Sequence, residues 1–152
     1  MEQLDTEKLI KTAKHYQVRG QLEDALKAYQ DALAIDPKCS EALHELGMIH
    51  FRSGDISMAI TLLKEATKYD DRRADFYNNL GTILKTSGDL DAAEKAFRKA
   101  LTLDRNLVPA LVNIGSLLLD RLQVGAALKA LNRAIDLAPG NSTALSTYAE
   151  AK

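Results

Sequence analysis

The chain has 152 residues, of which 46% are hydrophobic, so it can bury a core and is unlike a disordered chain. Its 20 Lys and Arg against 21 Asp and Glu leave a formal net charge of -1. That balance disfavours nucleic acid as a partner, because no net positive field would attract a polyanion.

Apolar residues recur at the i, i+3, i+4, i+7 spacing of amphipathic helices along the whole chain, and glycines interrupt the stripes. Only 5% of the residues are aromatic and none is Trp, which favours helices packed through small residues over a β-sandwich. In chain order, the pattern predicts helices at 6–18, 22–35, 40–52, 56–69, 74–86, 90–103, 108–120, 124–137 and 142–151.

Small residues recur at a constant shift of 34 positions, which indicates an internal repeat. The four columns in phase are Ala25, Ala59, Ala93 and Ala127; Ala32, Ala66, Ala100 and Ala134; Gly20, Gly54 and Gly88; and Gly47, Gly81 and Gly115. We therefore expect one domain over 1–152. Its repeats are predicted at about 6–39, 40–73, 74–107 and 108–141, followed by a partial fifth repeat or capping helix at 142–152.

In the first three units, a glycine marks the turn between the two helices, at Gly20, Gly54 and Gly88. Gly88 is expected to take the left-handed conformation that closes a helix, and Asp89 to cap the helix that follows. The fourth unit has Leu122 in place of this glycine and Gly125 three residues later. Because a left-handed Leu costs roughly 1 kcal/mol, the sequence predicts another turn geometry there and no gain in stability from Leu122→Gly.

Small and large residues are expected to interlock where helices cross. Gly81 and Ala93 are predicted to be holes, and Phe97 or Tyr77 the large side chains that fill such holes. The last predicted helix, 142–151, is expected to cover the apolar side of the helix at 124–137.

These features together resemble the tetratricopeptide repeat. The third unit shows the pattern, with Leu80-Gly81 in its first helix, Gly88-Asp89 at the turn, and Ala93 and Phe97 in its second helix, while Asp36-Pro37 ends the first unit. The resemblance covers residues 6–152. It implies an all-α, right-handed α–α superhelical solenoid of helix–turn–helix repeats.

The resemblance also implies a protein–protein interaction scaffold or adaptor that binds a peptide or protein on its concave face, which the first helices line. Within that face, Asn79 and Asn113 occupy one column and could grip a peptide backbone, while Met48 and Phe51 offer an adaptable apolar surface. The predicted partner-binding residues are His44, Glu45, Met48, Phe51, Arg52, Asn78, Asn79, Thr82, Lys85, Val112, Asn113, Ser116 and Leu119.

Two other functions stay open. The Asn column is similar to the arrays fused to glycosyltransferases, so the chain could be the N-terminal substrate-recruiting array of a larger enzyme, a glycosyltransferase or a sulfotransferase. A third hypothesis is self-association through the terminal repeats.

The sequence predicts neither an enzyme nor a cofactor or metal site. His44 and His50 lie six residues apart, too far round a helix to share a zinc ion, and Met48 stands where a ligand would be needed. We expect His44 to face the open surface and His50 to fill a packing column.

Location in the cell is expected from the N-terminus and the cysteine content. Cys39 is the only cysteine, which favours a reducing compartment. The N-terminus lacks the basic and apolar regions of a secretory signal, and no apolar run approaches about 18 residues. We therefore expect a cytoplasmic protein without membrane insertion.

Overall fold

The computed structural model describes residues 2–152, with side chains from residue 5 onward. Within that range all regular structure is helical, which confirms the predicted all-α class. The helices are α1 (Glu2–Val18), α2 (Leu22–Ile35), α3 (Ser40–Arg52), α4 (Ile56–Tyr69), α5 (Ala74–Ser87), α6 (Leu90–Leu103), α7 (Val108–Asp120), α8 (Val124–Leu137) and α9 (Ser142–Ala151). Apart from the earlier start of α1 and an extra residue at the end of α5, they match the predicted ranges.

The chain divides into two compact units, Met1–Arg72 and Arg73–Lys152. In unit 1, α1 packs against α2 and α3 against α4, and α2 also contacts α3. In unit 2, the pairs are α5 with α6 and α7 with α8, with further contacts of α6 with α7 and α5 with α7. The last helix, α9, packs on α8 and α7, as the predicted covering role requires.

The turns inside the helix pairs use glycine as predicted. Gly20, Gly54 and Gly88 have φ values of 75°, 89° and 91°, in the left-handed region. At the end of α5, the Gly88 amide donates to the Lys85 carbonyl, and the next amide donates to the Leu84 carbonyl, each over 3.0 Å. Asp89 then caps α6, since its Oδ1 accepts from the amide of Ala92 at 3.1 Å.

The prediction of another turn geometry at Leu122 is wrong. Leu122 has a φ of 60° and its amide donates to the Leu119 carbonyl at 2.9 Å. The amide of Gln123 donates to the Leu118 carbonyl at 2.8 Å, the same pair of bonds that closes α5. Closing α7 in this way requires the left-handed conformation, and the packing of α7 on α8 outweighs its local cost.

The predicted interlocking of small and large residues is confirmed for Gly81. A Cβ atom built on Gly81 would lie 2.6 Å from Cε1 of Phe97, so only glycine leaves room for that ring. Ala93 is fully buried, as expected of a hole. Tyr77, however, is only half-buried, and the fully buried ring of α5 is that of Phe76.

Candidate functional site

The predicted partner-binding residues all lie on first helices of helix pairs. Unit 1 contributes the five on α3, and unit 2 contributes four on α5 and four on α7. Nine of the thirteen are half-buried and Arg52 is exposed. His44, Asn78 and Val112 are buried, so they lie beneath the surface that the other ten form.

In unit 1, a chain of hydrogen bonds links α2, α1 and α3. The buried Tyr29 donates its hydroxyl proton to Oε1 of Gln17 over 2.6 Å. That bond turns the amide nitrogen of Gln17 towards α3, where it lies 3.5 Å from Oε2 of Glu45. Burial, reinforced by the negative charges of Glu45 and Glu41, raises the pKa of Tyr29, so its hydroxyl stays a donor. Glu41 is itself paired with Lys14 of α1.

The expected positions of the two histidines on α3 are wrong. His44 does not face the open surface but is 6% exposed, with Nδ1 3.2 Å from Oε1 of Glu45. His50 does not fill a packing column, since its side chain is 33% exposed and Nδ1 lies 3.4 Å from Oδ2 of Asp55.

Glu45 is held as an ionised group at the edge of this network. Burial opposes its ionisation, but hydrogen bonds with His44 and Gln17 and the charge of Lys14 outweigh burial and lower the pKa of Glu45. The carboxylate side chain is 23% exposed, so part of it remains open to solvent.

In unit 2, Asn113 of α7 bonds to α5 rather than standing free in a column. Its Nδ2 donates to Oδ1 of Asn78 at 2.9 Å and lies 3.3 Å from Oγ1 of Thr82. The sequence places Asn79 and Asn113 in one column because they occupy equivalent positions in the repeat. The residue that Asn113 contacts is one position earlier, so the amide protons of Asn113 are already used within the fold.

Lys85 forms the second link between α5 and α7. Its Nζ donates to Oγ of Ser116 at 2.8 Å and lies 3.1 Å from Oδ2 of Asp120. Sequence reasoning missed Asp120. A shift of 35 positions would have found it, because Asn78 and Asn113 are also separated by 35.

The arrangement suits noncovalent recognition. Amide, hydroxyl and ammonium groups on α5 and α7 are held in place by one another, while Met48 and Phe51 on α3 and Leu119 on α7 are half-buried apolar groups. In the described part of the chain, no three His, Cys, Asp or Glu side chains come together as a metal site. No described helix is both long enough and apolar enough to cross a membrane.

Two family models, both described as tetratricopeptide repeat, match residues 19–81 and 74–107. Together they span more than half of the chain. The chain belongs to the tetratricopeptide repeat family. No curated protein matches the chain significantly.

Several solved structures show the same fold. MamA is 25% identical with a TM-score of 0.82, over 91% of this chain and 81% of MamA. PilF of Pseudomonas aeruginosa is 21% identical with a TM-score of 0.90, over 99% of this chain and 68% of PilF. YrrB, described as a tetratricopeptide protein with an unusual peptide-binding site, is 22% identical with a TM-score of 0.80, over 94% of this chain and 74% of YrrB. The predicted class, a helical-repeat solenoid, is thereby confirmed.

Proposed function

We propose that this chain is a protein-interaction scaffold that binds an extended peptide or protein segment along the first helices of its repeats. Membership of the tetratricopeptide repeat family supports a protein partner, and the peptide-binding site named for YrrB supports a peptide as the bound form. The partner would lie on the first-helix faces, defined here as the α1–α3 surface of unit 1 and the α5–α7 surface of unit 2.

The observation that carries the proposal is the bonded network of Asn78, Thr82, Lys85, Asn113 and Ser116 in unit 2. Side chains that are already held in place lose less rotamer freedom when a partner arrives, so more of the contact energy appears as affinity. The amide protons of Asn113 are used within this network, so a peptide backbone would meet the carbonyl oxygen of Asn113 and the hydroxyl group of Ser116, which can accept or donate.

Apolar groups on the same faces would supply the anchor. Met48 and Phe51 are half-buried on α3, so contact with a partner would remove further apolar surface from water. The thioether of Met48 has several accessible rotamers and adapts to differently shaped side chains. A mixed surface of this kind favours a short segment with a few apolar residues over a highly charged one.

The test begins with a random peptide library selected against the full chain, and the selected peptide is then titrated by calorimetry. The double variant Met48→Ala, Asn79→Ala changes both first-helix faces. Its matched control is Met58→Ala, Asn132→Ala, which removes the same groups from exposed positions on α4 and α8.

We expect the first double variant to weaken binding more than about tenfold, equivalent to about 1.4 kcal/mol, and the control to stay within about twofold. Circular dichroism establishes that both variants remain helical. Equal affinities of the two double variants for the selected peptide would show that the first-helix faces are not the binding surface.

A further inference from the structure

Unit 1 contains a second surface feature, a cavity between the start of α2 and the end of α3. Its volume is about 230 Å³ and its wall is mostly apolar. The lining residues are Leu22, Leu26, Ile49, His50, Arg52 and Ser53. Leu22 at the rim is 48% exposed, so apolar surface continues from the cavity to solvent.

The corresponding place in unit 2, 68 residues later between α6 and α7, is built differently. Arg121 stands where unit 1 has Ser53, and Glu94 stands where unit 1 has Leu26. Arg121 forms ion pairs with Glu94 and Asp91 and so spans the two helices. The hydrogen bonds from Arg98 and Arg121 lower the pKa of Glu94, which keeps that carboxylate ionised.

The α2–α3 junction of unit 1 lacks the side chains that bridge the α6–α7 junction of unit 2. Ser53 is too short to reach α2, and Leu26 offers no charge, so the junction in unit 1 has neither the spanning side chain nor the ion pairs. An apolar recess is left in their place. In unit 2, the equivalent helices α6 and α7 pack with charged side chains at this junction. The repeat itself therefore does not require an apolar recess here.

Size and charge define what would fit. A cavity of about 230 Å³ is smaller than the roughly 300–1,000 Å³ of sites for drug-sized ligands, and it suits a single apolar side chain. Nδ1 of His50 lies 3.4 Å from Oδ2 of Asp55, whereas Arg52 is exposed and forms no ion pair with any described residue. The one uncompensated charge on the lining is therefore positive, and it calls for a carboxylate beside the apolar group.

We infer that the α2–α3 cavity is a docking site for a protein segment that carries an apolar side chain next to an acidic residue. The apolar side chain fills the space against Leu22, Leu26 and Ile49, and the carboxylate pairs with Arg52. This site is separate from the Asn113 network and shares only Arg52 with the residues predicted for the first-helix faces, so its test does not depend on the proposed function of those faces.

The experiment uses the full chain and three capped tetrapeptides, Ala-Leu-Asp-Ala, Ala-Leu-Asn-Ala and Ala-Ala-Asp-Ala, titrated by methyl NMR. We expect the Leu-Asp peptide to shift the methyl signals of Leu22, Leu26 and Ile49 saturably. The Leu-Asn and Ala-Asp peptides should bind at least about fivefold more weakly, since each lacks one of the two contacts.

Three variants locate the site. Ser53→Arg places an arginine where unit 2 has Arg121, with Glu23 at the position of Asp91 as its partner, and it should abolish the methyl shifts. Arg52→Gln should reduce binding of the Leu-Asp peptide to the level of the Leu-Asn peptide. Arg105→Gln, at an exposed position of unit 2, is the control for lost charge and should change nothing.

Absence of saturable shifts with the Leu-Asp peptide would overturn the inference, as would unchanged shifts in a helical Ser53→Arg variant. Equal binding of the Leu-Asp and Leu-Asn peptides would overturn the acidic requirement. Binding that is lost on Met48→Ala, Asn79→Ala but kept in Ser53→Arg would assign the peptide to the first-helix faces instead.

Discussion

Leu122 offers a direct measure of how much the repeat turn costs when glycine is absent. Its φ of 60° is the only left-handed non-glycine φ among the described residues, and the two backbone bonds that follow α7 are those of the glycine turns. The side chain is 86% exposed, so it has little packing to lose. Leu122→Gly should therefore relieve backbone strain without opening a cavity.

The size of the gain follows from two opposing effects. A left-handed conformation costs a residue with a Cβ about 1–2 kcal/mol. Glycine in turn lowers the free energy of unfolding by about 0.4–1 kcal/mol, because it has more conformational freedom in the unfolded chain. The net expectation is an increase of about 0.5–1 kcal/mol in the free energy of unfolding, or about 1–4 °C in Tm for a chain of this length.

Calorimetry of the full chain measures this change, and two variants serve as controls. Leu122→Ala keeps the strained backbone and should give no gain. Gly88→Ala imposes the same strain on an unstrained turn, where a Cβ meets nothing within 4 Å, and should lower stability by about 1 kcal/mol. An unchanged or lower Tm for Leu122→Gly, with Gly88→Ala destabilised, would show that Leu122 is not strained in solution.

Three further predictions concern the interior and the polar networks. Ala93→Leu should cost about 1–3 kcal/mol in urea unfolding by overpacking a fully buried site, whereas Ala92→Leu at the half-buried neighbour should be nearly neutral; equal losses would contradict the helical phase. Asn113→Ala leaves Oδ1 of the 8%-exposed Asn78 without its donor and should cost about 1–2 kcal/mol, and no loss would mean that water replaces the amide. The lowered pKa of Glu45 means that its ionised form stabilises the fold above its ordinary pKa, and this contribution is lost as pH falls through the lower value. Glu45→Gln should therefore lose less stability than the wild type between about pH 6 and pH 3, and identical pH profiles would refute that role.

The helices and their pairing could be predicted from the sequence because they depend on columns of small residues. Gly81 has to be glycine for Phe97 to fit, and Gly88 has to be glycine for α5 to close without strain. Requirements of this kind leave the same residue in three of the four repeats, so a constant shift reveals them. The repeat boundaries and the partner-binding residues stay predictions, since neither follows from the positions of the helices.

The side-chain partners could not be predicted from the same columns, because equivalent residues are not the residues that touch. Equivalent positions are 34 apart, but Asn78 bonds to Asn113 and Lys85 to Asp120 at a separation of 35. One residue corresponds to about 100° around a helix, which separates a side chain on the surface from one beneath it. The predicted partner-binding set includes both Asn78 and Asn79, but a shared column does not tell which of the two Asn113 contacts.

The differences between repeats are a better guide to recognition than the columns. A residue that recurs in successive repeats, such as Gly47 and Gly81, is accounted for by helix packing. Helix packing does not explain a position where two equivalent junctions differ, such as Ser53 and Arg121, because the fold forms with either residue. In unit 2 the arginine spans its junction with internal ion pairs. In unit 1 the serine leaves an apolar recess beside Arg52, which forms no ion pair with a residue that the structure describes. A bound segment that carries a carboxylate would supply there the ion pair that Arg121 forms within its own chain.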